Sequence, residues 1–403
     1  MANCIIAQSG GPTAVINSSV IGLLEKNKEM GYYENVFAGL NGIEGILNEN
    51  IINLSNLSNE EINEFKYTPS SGLGSCRYKM KDVNESLDEY EQLIDILNSN
   101  NIKAFFYIGG NDSMDTVDKL GKYSKDKGVD IKFIGIPKTI DNDLMFTDHT
   151  PGFGSASKFI STITLETYLD SSVYTNNGIF ILETMGRDTG WLAASASLAR
   201  INNKPVADFI YLPEIAFDVI SFLEDVREKF NKQNKVFIVV SEGLKTANGN
   251  FLTEANSVDN DKFGHSQLGG VGVYLKNLII NSGITSRVKS LELGILQRCT
   301  MHCSSKVDID EAFNVGAAAL KYSLDNNNGY MVSIKRESNS PYKVTYPLID
   351  ASKVANNVKY FPTSLINSSG NNIKEEALEY FLPLISGNPN LVLHNSLPKF
   401  KTI

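Results

Sequence analysis

Five times along the chain an apolar run of strand length ends in a glycine-rich or charged cluster, and most of these lead on into a helix-period segment. Asn3–Gln8, with Cys4, Ile5, Ile6 and Ala7, runs into Ser9-Gly10-Gly11-Pro12-Thr13 and then a helical segment over Ala14–Glu29. Lys103–Ile108 leads to Gly109-Gly110-Asn111-Asp112-Ser113 and a helix face of Met114, Val117 and Leu120. Lys132–Ile136 ends in Pro137–Asp143, Gly178–Leu182 in Glu183–Arg187 with a helix through Trp191–Ala199, and Lys235–Val240 in Ser241-Glu242-Gly243. Continuous apolar strands that alternate with helices are buried on both faces, which predicts an α/β fold with mostly parallel sheets. Ligands of such folds bind outside the carboxyl ends of the strands, and every cluster named above falls there. At 403 residues the chain is too long for one ordinary core and suits two domains or three small lobes.

Composition narrows the function classes. A net charge of −9, from 37 basic and 46 acidic residues, argues against a general nucleic-acid binder but not against a basic pocket for a small anion. No apolar run approaches the roughly 20 residues of a membrane span, so no membrane partner is expected. The opening MANCIIAQSGG lacks a basic start and a long apolar stretch, so no signal peptide is expected. Four cysteines are too few for a disulfide scaffold and fit a reducing cytoplasm. Elsewhere, Thr246–Ser266 reads as a surface loop, Tyr330–Lys335 and Lys343–Tyr346 as an antiparallel hairpin, Lys374–Tyr380 as a helix, and Leu291–Leu296 as a strand ahead of Gln297-Arg298.

The clusters admit bland and chemical readings side by side. Gly10-Gly11 is either a tight turn or a phosphate cradle at a helix start. Asp112 and Ser113 either cap a helix or, after Gly109-Gly110, hold phosphate together with Mg²⁺, which favours one or two carboxylates plus phosphate oxygens. Asp141 and Asp143 form either an Asx-type turn or a base with its partner. Met185-Gly186-Arg187 and Ser241-Glu242-Gly243 offer a guanidinium and a carboxylate at neighbouring strand ends, which suits a ligand with phosphate and hydroxyl groups. Cys299 to Cys303, with His302, has metal-ligand types but no second pair. Cys76 beside Arg77 is an inert small residue or a reactive thiolate, and the lone Trp191 reads as packing at a helix start.

In their order, Gly109–Ser113, Pro137–Asp143, Met185–Arg187 with Gly190-Trp191-Leu192, Ser241–Gly243 and Leu293–Arg298 resemble the phosphofructokinase family, over roughly residues 1–320. The resemblance implies two doubly wound, Rossmann-like lobes with the active site in the cleft between them. A phosphoryl-donor lobe would span 1–150, completed by about 297–345, and a sugar-phosphate lobe 151–296, completed by part of 346–403. It implies phosphoryl transfer to the 1-hydroxyl of fructose 6-phosphate, with Mg²⁺ as cofactor, in glycolysis or gluconeogenesis, by a homo-oligomer (dimer or tetramer). Asp141 resembles the base, with Lys138, Thr139 and Asp143 beside it. Thr139, Asp141, Met185, Gly186, Arg187, Glu242, Arg298 and Lys289, or Arg287 near it, resemble the fructose 6-phosphate contacts. Gly11, Arg77, Gly110 and Lys138 match the donor side.

Two positions speak to the donor. Where the ATP-using branch typically carries glycines, this chain has Asp112 and Lys138. A carboxylate at the first adds bulk and negative charge in the path of an α-phosphate, and a lysine at the second adds a cation for a small anion. Both resemble the pyrophosphate-dependent branch, and so does Gly190-Trp191-Leu192-Ala193-Ala194. With pyrophosphate as donor the reaction is expected to run both ways. The chain departs from the family at Asn111, where an Mg²⁺-associated Asp is usual and Asp112 would take that load. It departs again at Ile295, where a His or Tyr commonly meets the sugar phosphate, and at Gly178, where many ATP-branch members place an Arg. An ATP-dependent 6-phosphofructokinase, a kinase of NAD or lipid from the wider superfamily, and a non-catalytic regulatory subunit of the same fold are the competing readings.

Overall fold

A computed structural model describes residues 2–175, 178–253, 268–325 and 327–403. The chain divides into two compact units, the first made of Met1–Ser155, Arg298–Val358 and Ser386–Ile403, the second of Ala156–Gln297 and Lys359–Ile385. The backbone passes from one unit to the other four times, at 155/156, 297/298, 358/359 and 385/386, so composition shows no single linker.

The first unit is built on a seven-stranded sheet in the order Leu348–Asp350, Tyr330–Val332, Lys132–Pro137, Ile102–Gly109, Asn3–Gln8, Val36–Gly39, Ile51–Asn53. The five inner strands are parallel and only the two edges are antiparallel. The apolar runs of the inner strands are buried on both faces, as continuous Ile/Phe/Val stretches require. One face packs on the helices Ile16–Met30 and Lys306–Tyr322, the other on Leu87–Ser99 and Asn111–Lys127. The second unit carries a four-stranded, all-parallel sheet in the order Val288–Glu292, Gly178–Thr184, Lys235–Ser241, Phe209–Tyr211. Two mostly parallel sheets flanked by helices are the α/β architecture expected from the strand–turn–helix rhythm.

Some local expectations fail for identifiable reasons. Tyr330–Val332 does not pair with Lys343–Tyr346: with Met331 and Val332 buried it joins the main sheet, parallel to Lys132–Pro137 and antiparallel to Leu348–Asp350. The hairpin is Lys335–Asn339 with Tyr342–Thr345, turning at Ser340-Pro341. The strand ahead of Arg298 is Val288–Glu292, and Gly294–Arg298 is a 3₁₀ turn starting at a glycine with φ +49°. The C-terminal helix is shorter than expected and shifted, at Ala377–Phe381. Of the loop expected at Thr246–Ser266, residues 246–253 lie in turns and an isolated bridge, and 254–266 fall outside the described residues. Trp191 packs as expected, edge-on to Phe361 with its indole N–H donating to the Lys359 carbonyl at 2.9 Å.

A buried ionic cluster fastens the 335–345 hairpin to the first unit's core. His149, 1% exposed, lies 2.7 Å from Asp148 and 2.5 Å from Glu311. Arg336 donates to the same Asp148 oxygen, and the Tyr342 hydroxyl to Glu311 at 2.7 Å. Burial pushes the His149 pKa down, but the Glu311 and Asp148 carboxylates outweigh it and hold it up at about 9.

The helices Ile16–Met30 and Lys306–Tyr322 approach closely because each presents a glycine. A Cβ on Gly22 would stand 1.9 Å from the Phe313 carbonyl oxygen, and one on Gly316 2.0 Å from that of Ser19. Both obstacles are helix backbone, which cannot turn aside. Gly316→Ala is therefore expected to lower stability by about 1–3 kcal/mol, read as a drop in the urea midpoint, although Ala has the higher helix propensity. An unchanged or raised midpoint would contradict this close packing.

Candidate active site

The residues singled out by sequence fall into two groups, one in each unit. In the first, three neighbouring strand ends supply the backbone. Asn3–Gln8 runs into Gly10-Gly11, Ile102–Gly109 into Gly110–Asp112, and Lys132–Pro137 into Lys138–Asp143. The loops are tied to one another: Ser9 and Ser113 hydroxyls meet at 2.6 Å, and the Lys138 N–H donates to the Gly109 carbonyl at 3.0 Å. Lys138 turns inward, only 4% exposed, and its Nζ donates to the Gly11 carbonyl at 2.6 Å.

The glycines here make room for cations. Gly10 has φ +74°, and a Cβ on it would stand 3.3 Å from Lys138 Nζ; one on Gly11 would stand 3.0 Å from a guanidinium nitrogen of Arg298. The Gly10-Gly11 pair is thus a tight turn and also the floor on which two cations rest. Burial lowers the Lys138 pKa to about 8, with Asp141 and Asp143 opposing that fall and the charges of Arg298 and Arg77 adding to it. Arg77, Lys138, Arg298, Asp141 and Asp143 therefore share one electrostatic neighbourhood. The Asp141 N–H donates to the Thr139 hydroxyl at 3.1 Å, and Asn142 between the two acids adopts φ +54°, so the loop is a turn closed by a threonine hydroxyl and not by either acid.

Asp112 lies in the first turn of the helix Asn111–Lys127, capped only by Gly110. Asn111 is engaged elsewhere. Its Oδ1 accepts from the Asn356 N–H at 2.5 Å, and its Nδ2 donates to the Asn357 carbonyl at 2.5 Å. Its amide fastens a turn, which explains why an amide suits a position where an acid was expected. Among the described residues no group of three or more His, Cys, Asp or Glu is arranged to hold a metal, Cys299, His302 and Cys303 included. Isolated carboxylates beside a cation-lined floor fit a hard cation that arrives with phosphate oxygens and takes one or two protein ligands.

The second unit gathers Met185, Gly186, Arg187 and Glu242 at the carboxyl ends of the paired strands Gly178–Thr184 and Lys235–Ser241. The Gly186 N–H donates to Glu242 at 3.3 Å, the Met185 N–H to the Gln297 side chain at 3.2 Å, and the Ser241 hydroxyl to the Gly186 carbonyl. Gly186 has φ +122°, and Gly243 is needed because a Cβ there would meet the Arg187 carbonyl oxygen at 1.9 Å. Burial raises the Glu242 pKa to about 7; Glu183 and Glu292 push the same way, while the Gly186 N–H and Arg187 oppose them. Lys289 is not brought to this group. It pairs with Phe180, five residues before Met185, so it stands about 16 Å back along the strand. There, with Arg287, Lys235 and Asp208, it lines a cavity of about 190 Å³ at the amino end of the sheet. Ile295 is 64% exposed and contributes no polar group.

A model of the family described as phosphofructokinase matches residues 3–322. The chain belongs to the phosphofructokinase family. It is 41% identical over 400 residues to a pyrophosphate–fructose 6-phosphate 1-phosphotransferase of Halomonas elongata, covering 98% of this chain and 95% of the relative. It is 39% identical over 404 residues to the enzyme of the same name from Methylococcus capsulatus, covering 100% and 96%. Its fold superposes on the crystal structure of a pyrophosphate-dependent phosphofructokinase from Nitrosospira multiformis with a TM-score of 0.88 at 36% identity, covering 99% of this chain and 96% of that one. The family and branch expected from the motifs are thus borne out.

Two titrations follow from this geometry. Lys138 loses its charge above about pH 8, so anion binding in the first group should weaken as pH rises through that value. Glu242 gains its charge above about pH 7, so hydroxyl binding by its carboxylate should strengthen as pH rises through 7. Profiles of kcat/KM for each substrate, the other saturating, are expected to show these opposite limbs. Flat profiles from pH 6 to 9 would contradict both assignments.

Proposed function

We propose that the protein transfers a phosphoryl group from pyrophosphate to the 1-hydroxyl of fructose 6-phosphate, reversibly, giving fructose 1,6-bisphosphate and phosphate. The observation that carries this reading is Lys138. A buried cation stands on the Gly10-Gly11 floor, flanked by Arg77 and Arg298, and suits a compact, highly charged anion. Asp112, at the start of the next helix, adds a negative charge that a nucleotide's further phosphate would meet. Homology to enzymes named for this reaction over nearly the whole chain supports the same donor.

In this reading Gly11, Gly110, Arg77 and Lys138 bind pyrophosphate. Arg187, with Met185 and Gly186, binds the sugar phosphate, and Glu242 accepts hydrogen bonds from sugar hydroxyls. Arg298 is assigned to the 6-phosphate, and its place against Gly11 lets it also neutralise the transferring group. Asp141 takes the proton of the 1-hydroxyl as that oxygen bonds to phosphorus and the bridging P–O bond breaks, releasing phosphate; Thr139 and Asp143 orient the acid. Asp112 would hold Mg²⁺, whose chemistry here is to neutralise phosphate charge. Positioning and charge stabilisation, not covalent chemistry, are the protein's task in such transfers. We place the enzyme in the cytoplasm, in keeping with its four free cysteines and metabolite substrates.

The test is formation of fructose 1,6-bisphosphate by the purified protein with Mg²⁺, given pyrophosphate or ATP. Turnover is expected with pyrophosphate; turnover with ATP alone would overturn the donor, and none with either would favour a non-catalytic subunit. Asp141→Ser is expected to cut kcat by about 10² or more while KM for fructose 6-phosphate changes little. Near-normal kcat in that variant would remove Asp141 as the base.

A further inference from the structure

We infer that the buried amide pair Asn17–Gln8, braced by the C-terminal segment through Thr68, positions Arg77 for the phosphoryl donor; this rests on the reaction proposed above. Residues 68–77 form no helix or strand, so their backbone polar groups need partners from elsewhere. Asn17 and Gln8, both 0% exposed, supply them. Asn17 Oδ1 accepts from the Gly72 N–H at 2.9 Å and from Gln8 Nε2 at 2.8 Å. Asn17 Nδ2 donates to the carbonyls of Thr68 at 2.7 Å and Ser70 at 2.9 Å. Gln8 Oε1 accepts from the Leu73 N–H at 3.1 Å. Every donor and acceptor site of the Asn17 amide is used, which fixes its orientation.

From Leu73 the order passes directly to Arg77. The Ser75 hydroxyl donates to the Gly10 carbonyl at 2.7 Å, and the Gly10 N–H to the Cys76 carbonyl at 2.9 Å. The segment that presents Arg77 is thereby stitched to the glycine floor under Lys138. At its other end the Lys401 N–H donates to the Thr68 hydroxyl at 3.0 Å, and that hydroxyl lies within donor reach of the Glu64 and Lys401 carbonyls, at 3.0 and 3.1 Å. Leu391 packs on the cluster of Ala14, Val15, Met301 and Ile309. The exposed pairs Lys399–Glu60 and Lys401–Glu61 add little, so the brace rests on the Thr68 bonds, the Leu391 contact and the pair of Lys399 with the buried Glu64 carboxylate at 2.5 Å. Asn17 and Gln8 act only through Arg77 and the Gly10 backbone, as positioning residues.

Asn17→Asp keeps the side chain's shape but replaces both donated hydrogen bonds with a carboxylate facing two carbonyls. Thr68→Val and removal of residues 399–403 cut the brace while sparing the pair. Steady-state constants of these full-length or truncated proteins, with each substrate varied separately, decide the matter. KM for pyrophosphate is expected to rise about tenfold in Asn17→Asp and a few-fold in the other two, with KM for fructose 6-phosphate unchanged. A merely structural role would lower kcat with the folded fraction and leave both KM values alone. An unchanged pyrophosphate KM, or an equal rise in both constants, overturns the inference. Should Asn17→Asp fail to fold, the other two variants carry the decision by the same criterion. Wild-type protein lacking pyrophosphate-dependent turnover overturns the proposed reaction and this inference with it, whereas active wild type with unaltered variants overturns the inference alone.

Discussion

A lysine side chain taken out of water is the constraint on which the first unit's site depends. Removing an ammonium from solvent is costly unless polar groups replace its hydration. Lys138 receives the Gly11 carbonyl at 2.6 Å and the charges of Asp141 and Asp143, while Arg298 and Arg77 work against it. The compensation is incomplete, as the depressed pKa of about 8 shows. A bound polyanion would supply what is missing, so binding energy and preorganisation have one origin: cations held in place before the ligand arrives. The glycines at 10 and 11 follow from the same constraint, because side chains there would occupy the space that Lys138 and Arg298 use.

The fold was legible because the strands are parallel and buried. Runs such as Ile5–Ala7, Phe105–Ile108 and Ile238–Val240 have no polar face, and that pattern has few other solutions. Legibility failed where local pattern and tertiary context part. Tyr330–Val332 reads equally well as an arm paired with Lys343–Tyr346, and its place between Lys132–Pro137 and Leu348–Asp350 decides against that. Leu291–Leu296 is apolar enough for a strand, yet Gly294 breaks it and leaves Ile295 and Leu296 exposed.

The site was legible in its residue types and less so in their company. Lys138 and Asp141 follow a strand end, whereas Arg77, whose charge also acts on Lys138, comes from a segment with no helix or strand. Lys289 shows the limit: a cation near a motif in sequence can lie at the wrong end of its strand, and only register reveals it. Asn111 shows another. Its departure from the acid expected there concerns a turn around Asn356, a contact of sequence separation 245 that no local reading contains. Asn17 escaped notice for the same reason, since an asparagine early in a helix carries no signal until its four partners at 8, 68, 70 and 72 are known.

The two groups differ in how they hold charge, and the difference bears on the roles proposed for them. Lys138 is buried with its charge under strain, so it gains most from an anion that stays bound while charge shifts along the transferring group. Glu242 is buried with its pKa raised to about 7, poised between acceptor and acid, and a sugar hydroxyl that donates to it favours the ionised form. In the proposed roles, each group would be brought to its working charge state by its own ligand. A fixed cation–carboxylate pair in either place would be more stable in the free protein and would give less to the transition state.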